Sequence, residues 1–492
     1  MEQSLQKKYG LLTAICLVVG AVIGSGIFFV NETIFGRVGG NLMEAVMAWL
    51  IGGAIMFVMM WVWGKLASEK VGMGGLLEYT DDLLGKKYSY FLGWFLGTIL
   101  YPAFVAVLAW VTARFTATLF GWNMVFTSGA VWMLAGVYLV GIYVMNVISP
   151  KLAGFFQVST TFIKVIPLIL MGVVGIVVGM TNGQTAENLT FVVDPSSPLA
   201  VSNPLFYAIL STVFAYAGSE EVLMMSSEIK DRKKNLPKAI IIGSIIIIAI
   251  YVIYTIGVFG GIDAGTLSSS GGVTAAFQNV FGQFLGSLLM VFVIISCLGA
   301  MNSAMMAGSR AFYALAIRGT GPAPEYVRQV DAKTDMPPTS AAMSLLFCGI
   351  IFFIVFANAQ DMGTYSALYE TNPELLAEFP QLYHRRWFGS INFAVSSLAP
   401  VTLMALYVPV FVTIMIKKKT WNAFNRFVMP ILSIIGALTL IYMVFYNNSP
   451  YSNWWQVWYA PSVWWYLAFF GVIMGVAAIF LAFNGKTEGE NS

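Results

Sequence analysis

Twelve continuous apolar runs, each about the 20 residues that cross a bilayer, constrain this chain more than any other feature. They lie near 11–30, 41–63, 88–113, 128–149, 155–179, 202–226, 238–260, 283–310, 339–357, 391–416, 427–447 and 462–484. Runs of this kind specify an all-α polytopic membrane protein. They exclude an outer-membrane barrel, whose strands alternate apolar and polar residues. Composition agrees, since 58% of residues are hydrophobic and only 10% charged, against about 25% charged in a soluble domain. A net charge of +3 over 492 residues is no footprint for nucleic acid. Lys7 and Lys8 ahead of the first run imitate a signal peptide. Further runs follow and no A-x-A-like cleavage site stands out, so the first run is read as a helix.

Positive charge sets sidedness, because cytoplasmic segments collect Lys and Arg. With the N-terminus inside, 21 of the 26 basic residues fall on the cytoplasmic side. Among them is the run Lys230, Arg232, Lys233, Lys234 and Lys238. Outside fall Arg37, Arg114, Arg385 and Arg386, and Lys164 lies within a span. Both termini are therefore expected in the cytoplasm, in a multi-pass protein of the cell membrane with the lipid bilayer as its surroundings. The outside segment 358–390, which contains His384, reads as a solvated connector. Trp454, Trp455, Trp458 and Tyr459 in a second outside loop read as interface anchors.

Cysteine and histidine close off several chemistries. Cys16, Cys297 and Cys348 each stand alone in an apolar run, and His384 has no second histidine. Without CxxC or HxxxH spacing, neither a structural zinc site nor a disulfide framework is supported. No metal or cofactor is expected, and the cysteines read as small buried packing residues.

Two spans carry interruptions. The first reads Gly20-Ala-Val-Ile-Gly24-Ser25-Gly26-Ile27-Phe28, and each glycine costs about 1 kcal/mol relative to alanine in a helix. The sixth reads Phe214-Ala215-Tyr216-Ala217-Gly218-Ser219-Glu220-Glu221 and ends in two carboxylates. Gly20 and Gly24 also suit close helix packing. The pairing decides between the readings, because spans one and six are the corresponding first helices of two five-helix repeats. Transporters commonly build their sites on such broken helices. An unwound turn frees N–H groups at the positive N-terminus of the following half-helix, where a carboxylate binds. It also frees carbonyls at the end of the preceding half-helix, which accept from an ammonium. An α-amino acid satisfies both ends.

These residues resemble the amino acid–polyamine–organocation (APC) superfamily of permeases, over nearly the whole chain. The resemblance is carried by G-A-V-I-G-S-G-I-F at 20–28 and F-A-Y-A-G-S-E-E at 214–221. S-S-E-I-K-D-R-K-K-N-L-P-K-A-I at 226–240 looks like the superfamily's cytoplasmic signature, with Arg232 in place of its first proline. Asn146 and Q-V-S-T-T-F-I-K-V-I-P-L at 157–168 add to it. The segment Ala316-Ile317-Arg318-Gly319-Thr320-Gly321-Pro322 departs from the usual A-R-(D/E)-G-x-x-P, and the 358–390 insertion is longer than usual. The resemblance implies a LeuT-like fold within one transmembrane domain, 1–484. It would comprise an inverted repeat of about 11–179 and about 202–416, two extra helices over about 427–484, and a cytoplasmic tail at 485–492. It further implies that Gly24, Ser25 and Gly26 hold a substrate carboxylate, and that the carbonyls of Val22, Phe214 and Ala217 hold its ammonium. The Phe214 ring would close over the substrate, and Tyr101 would line the side-chain pocket.

Two charged residues inside spans are functional hypotheses by default. Lys164 lies about nine residues into its span, near mid-membrane at about 1.5 Å per residue. In related permeases a lysine here lies beside the unwound first helix, where sodium-coupled relatives bind Na⁺. Na⁺-independent transport is therefore expected. Glu220 either contacts a cationic substrate side chain or belongs to a gating network, while Glu221 and Glu228 are expected at the cytoplasmic exit. No second acid appears in the third or eighth spans to complete a cationic pocket, so a neutral amino acid is favoured. The alternative is a cationic amino acid or diamine antiporter that uses Glu220.

An enzyme would need clustered catalytic side chains, and a channel would need charged rings or a filter loop. Neither is visible. The expected function is secondary amino acid transport, by exchange or proton coupling. Which amino acid is carried and whether the protein forms a homo-oligomer stay open.

Overall fold

The computed structural model describes residues 9–24, 26–38, 41–69, 75–122, 128–191, 203–218, 220–224, 226–267, 272–334, 336–371, 395–448 and 461–490. The chain enters as α1 (Leu11–Val22) and α2 (Gly26–Arg37), followed by α3 (Leu42–Glu69) and the short α4 (Leu76–Leu84). A long span combines α5 (Lys86–Phe95), a π-helical turn at Leu96–Leu100 and α6 (Tyr101–Leu119). Pro102 sits just beyond that turn, and its ring cannot approach the carbonyl four residues earlier, so the helix widens there. Next come α7 (Gly129–Ile148), α8 (Pro150–Thr181), α9 (Gln184–Thr190), α10 (Pro204–Tyr216) and α11 (Glu221–Met224).

The second half contains α12 (Arg232–Gly261), α13 (Ala264–Leu267), α14 (Gly272–Phe281), α15 (Gln283–Ala316) and α16 (Pro324–Val327). It ends with α17 (Pro338–Thr371), α18 (Val395–Lys417), α19 (Met429–Asn448) and α20 (Pro461–Glu490). Ten helices among the described residues are long and apolar enough to cross a membrane. They correspond to every sequence run except the first and sixth, and those two are divided between α1 and α2 and between α10 and α11.

One expectation shifts. The helix read as ending at 357 continues to Thr371, so the first part of the 358–390 connector is helical. The rest of that connector, with His384, lies outside the described residues, as do Trp454, Trp455, Trp458 and Tyr459. All three cysteines are buried.

Glycine sets the closest packing. A Cβ on Gly175 of α8 would lie 2.2 Å from the Gly257 carbonyl oxygen of α12. One on Gly260 would lie 2.1 Å from the Gly175 carbonyl oxygen. The runs Gly172-x-x-Gly175-x-x-x-Gly179 and Gly257-x-x-Gly260 thus let two backbones touch. In lipid, van der Waals contact of this kind replaces the hydrophobic drive. The long α12 also packs along α3, and α15 packs along α6.

Candidate functional site

Helix α1 stops because Ile23 leaves helical geometry, with φ −71° and ψ 94°. Helix α10 stops at Ala217, also extended, and Gly218 follows at φ +106°. A side chain rarely adopts that conformation, so glycine is required at the second break. The two breaks lie side by side. A Cβ on Gly218 would meet the Ala21 carbonyl oxygen at 3.0 Å, and one on Gly26 would meet the Ala215 Cα at 2.8 Å. Gly24 packs equally closely on Ala300 of α15, where a Cβ would lie 2.9 Å away.

A pocket opens between the breaks, with about 330 Å³ of space free of protein atoms when the adjoining open solvent is included. It is lined by Ala21, Val22, Gly24, Gly26 and Ala217 of the two breaks. Phe104, Leu108, Phe214, Ala300 and Glu221 complete the lining. The arrangement is polar in a fixed direction: α2 presents its N-terminus at Gly26, while α1 and α10 end there with their carbonyls. Helix dipoles make the first end positive and the others negative. An amphoteric small molecule matches that field, and the apolar walls suit an uncharged substituent.

Of the residues expected from sequence, Val22, Gly24, Gly26, Phe214 and Ala217 come together on this wall. Ser25 lies outside the described residues. Tyr101 is buried one helical turn before Phe104, and it is not among the lining residues. Its hydroxyl has no hydrogen-bond partner among the described residues and shares a buried neighbourhood with Glu220. Glu220 turns back on its own break, where Oε2 accepts from the Gly218 N–H at 3.1 Å. Glu221, expected at the exit, lies on the pocket wall instead, while Glu228 forms a buried ion pair with Arg310 at 2.6 Å.

Lys164 is fully buried, and its Nζ donates to the Gly20 carbonyl oxygen of α1 at 2.5 Å. It belongs to a polar stripe on α8 formed by Gln157, Thr160, Thr161 and Lys164, spaced to share one face. The same stripe meets α15, where Asn302 Nδ2 donates to Gln157 Oε1 at 3.0 Å. Asn146 of α7 donates in turn to Asn302 Oδ1 at 2.8 Å. Buried polar groups in an apolar span need such partners.

Several contributors escaped the sequence reading. The Tyr251 hydroxyl of α12 lies 3.1 Å from the Val22 carbonyl oxygen and 3.0 Å from that of Ala215. It therefore ties the ends of both broken helices together from outside the motif. Phe104 faces Phe214 edge-on, with ring centroids 6.0 Å apart. Neither carried a motif, although a tyrosine in an apolar run is a polar atom in search of a partner. Among the described residues, no group of three or more His, Cys, Asp or Glu side chains converges as a metal site would.

Residues 9–484 match the amino acid permease family. The chain belongs to that family. The permease is 29% identical over 357 residues to the serine/threonine exchanger SteT of Bacillus subtilis, covering 72% of this chain and 78% of that relative. It is 25% identical over 368 residues to the cystine/glutamate transporter of Homo sapiens, covering 73% and 72%. With the b(0,+)-type amino acid transporter 1 of Mus musculus it shares 24% over 352 residues, covering 71% and 70%. Among solved structures it is similar to MhsT in complex with L-phenylalanine, with a TM-score of 0.55 and 15% identity over 90% of this chain and 99% of that one. The fold is accordingly LeuT-like, as the motifs implied. The permease is a multi-pass membrane transporter of amino acids and not an enzyme.

Proposed function

We propose that the permease carries a neutral amino acid across the cell membrane by Na⁺-independent exchange, with both termini in the cytoplasm. The observation that carries this reading is the pocket between two broken helices, polarised by helix ends and walled by Phe104, Leu108, Phe214 and Ala300. The α2 N-terminus at Gly24, Ser25 and Gly26 takes the carboxylate, and the carbonyl ends at Val22, Phe214 and Ala217 receive the ammonium. Phe214 closes over the substrate against Phe104. Lys164 holds the Gly20 carbonyl that would otherwise face a bound cation, which supports Na⁺ independence. Similarity to a serine/threonine exchanger supports exchange of a neutral substrate. Glu220 engages its own backbone away from the pocket wall, which weighs against a cationic or diamine antiporter built on that residue.

The chain is organised as one domain over 1–484, with repeats at about 11–179 and 202–416, extra helices over about 427–484 and a tail at 485–492. The contacts on the face that holds Tyr9 support a reading of that face as closed. There Arg310 pairs with Glu228, and the Tyr9 backbone exchanges hydrogen bonds with Glu228 and Lys230. Under the proposed orientation this is the cytoplasmic face. Uptake of a radiolabelled amino acid panel into proteoliposomes tests the reading, with and without Na⁺ and preloaded substrate. Uptake of a neutral amino acid that needs no Na⁺ and rises with internal substrate is expected. Na⁺-dependent uptake, or uptake confined to arginine, lysine or a diamine, would overturn it.

A further inference from the structure

Glu221 is the only ionisable side chain on the pocket wall among the described residues. It is 1% exposed, and its Oε2 has no hydrogen-bond partner there, although the Ser303 hydroxyl and the Lys164 ammonium stand near the carboxylate. A buried carboxylate oxygen without a donor is costly, so one that persists in a binding pocket points to a donor that arrives with the ligand. The surroundings favour a cation. The negative ends of α1 and α10 terminate at the same place, and Glu221 Oε1 lies 3.6 Å from where a Cβ on Gly218 would stand. Of the neighbouring charges, Lys164 donates to the Gly20 carbonyl oxygen, and Glu220 accepts from the Gly218 N–H through Oε2. The other Glu220 oxygen also has no partner among the described residues, but Glu220 is not among the residues that line the pocket.

We propose that Glu221 is the counter-ion for an alkylammonium group of the transported substrate and so a specificity-determining residue of this permease. The proposal rests on the pocket being the amino acid site. Two sources share the chemistry, the α-ammonium of a neutral amino acid or the side-chain ammonium of a basic one. With the carboxylate end fixed at α2 and the walls around Leu108 and Ala300 apolar, the α-ammonium is the group that reaches Glu221. A backbone-only site would bind an ammonium through neutral carbonyls. A carboxylate adds a charge-assisted hydrogen bond and penalises any ligand that replaces the amine by a hydroxyl.

The test is competition against uptake of the radiolabelled amino acid that the wild-type protein carries, in proteoliposomes of wild type, Glu221→Gln, Glu221→Asp and Glu220→Gln. Competitors are L-leucine, 2-hydroxyisocaproate, L-lysine and Nε-acetyl-L-lysine. Wild type is expected to prefer L-leucine over its hydroxy acid. Glu221→Gln should shrink that preference at least tenfold, Glu221→Asp should shrink it by less, and Glu220→Gln should keep it. If L-lysine competes, acetyl-lysine does not, and the lysine advantage vanishes in Glu221→Gln, the counter-ion role stands with the side-chain ammonium as its source. Undiminished preferences in Glu221→Gln would overturn the proposal. If Glu221→Gln does not reach the membrane, Glu221→Asp decides: a selective rise in the half-inhibitory concentration of the amine-bearing competitors supports it, and an equal rise for 2-hydroxyisocaproate, or no rise for any competitor, overturns it. A wild type that takes up no amino acid would instead sink the transport reading beneath it.

Discussion

The Lys164 Nζ of α8 lies 2.5 Å from the Gly20 carbonyl oxygen of α1, three residues before α1 loses its geometry at Ile23. One buried ammonium thus holds the unwound helix against a straight one, and it brings positive charge to the negative end of α1.

Replacing Lys164 with alanine should lower initial uptake at least about tenfold, a barrier change of about 1.4 kcal/mol, while the protein still inserts. Lys164→Arg should not restore it, because a planar guanidinium cannot replace a compact ammonium in a filled site. Uptake normalised to the amount of reconstituted protein measures both. Wild-type flux in Lys164→Ala would refute the role.

Gly26→Ala should cost about 1–3 kcal/mol through overpacking, since its new Cβ would stand 2.8 Å from the Ala215 backbone. Thermal unfolding in detergent reads the effect, and substrate affinity should fall with it as α2 and α10 part. Gly136→Ala on α7, where a Cβ meets nothing within 4 Å, is the control: it should stabilise slightly, by up to about 1 kcal/mol, and leave affinity unchanged.

Tyr251→Phe deletes the hydroxyl shared between the Val22 and Ala215 carbonyls. A loss of about 1 kcal/mol in stability is expected, together with weaker substrate binding, because the two half-helix ends lose their common tie. Unfolding midpoints and competition binding check the pair of effects.

Removing one partner of a buried ion pair leaves an uncompensated charge, at a cost of about 3–5 kcal/mol. Arg310→Ala should therefore destabilise strongly, since Arg310 and Glu228 are both buried at 2.6 Å. Adding Glu228→Gln should recover part of that loss. A double-mutant cycle by thermal unfolding measures the coupling, and strictly additive losses would argue against it.

The fold was legible because apolar runs of bilayer length leave a chain few choices, and because Gly20–Gly26 and Gly218 interrupt two of them at matching places. The candidate site was legible only along those motifs. Glu220 and Glu221 are adjacent, and one residue turns a helix by about 100°, so composition could not say which carboxylate faces the pocket. Tyr251 reaches Val22 across 229 positions, a relationship that exists only once α12 packs beside α1. Phe104 resembles many other phenylalanines until its ring meets that of Phe214. The glycines at 172, 175, 179, 257 and 260 were readable as a small-residue pattern, but their partners were not.

The most direct test of the pocket as the substrate site is protection of a cysteine at Ala217, a half-buried position on its wall. The rate at which a membrane-impermeant methanethiosulfonate modifies Ala217→Cys in active proteoliposomes would be measured with and without a saturating transported amino acid. Protection of at least tenfold is predicted. An unchanged rate, in a variant that still transports that amino acid, would contradict the assignment of the site.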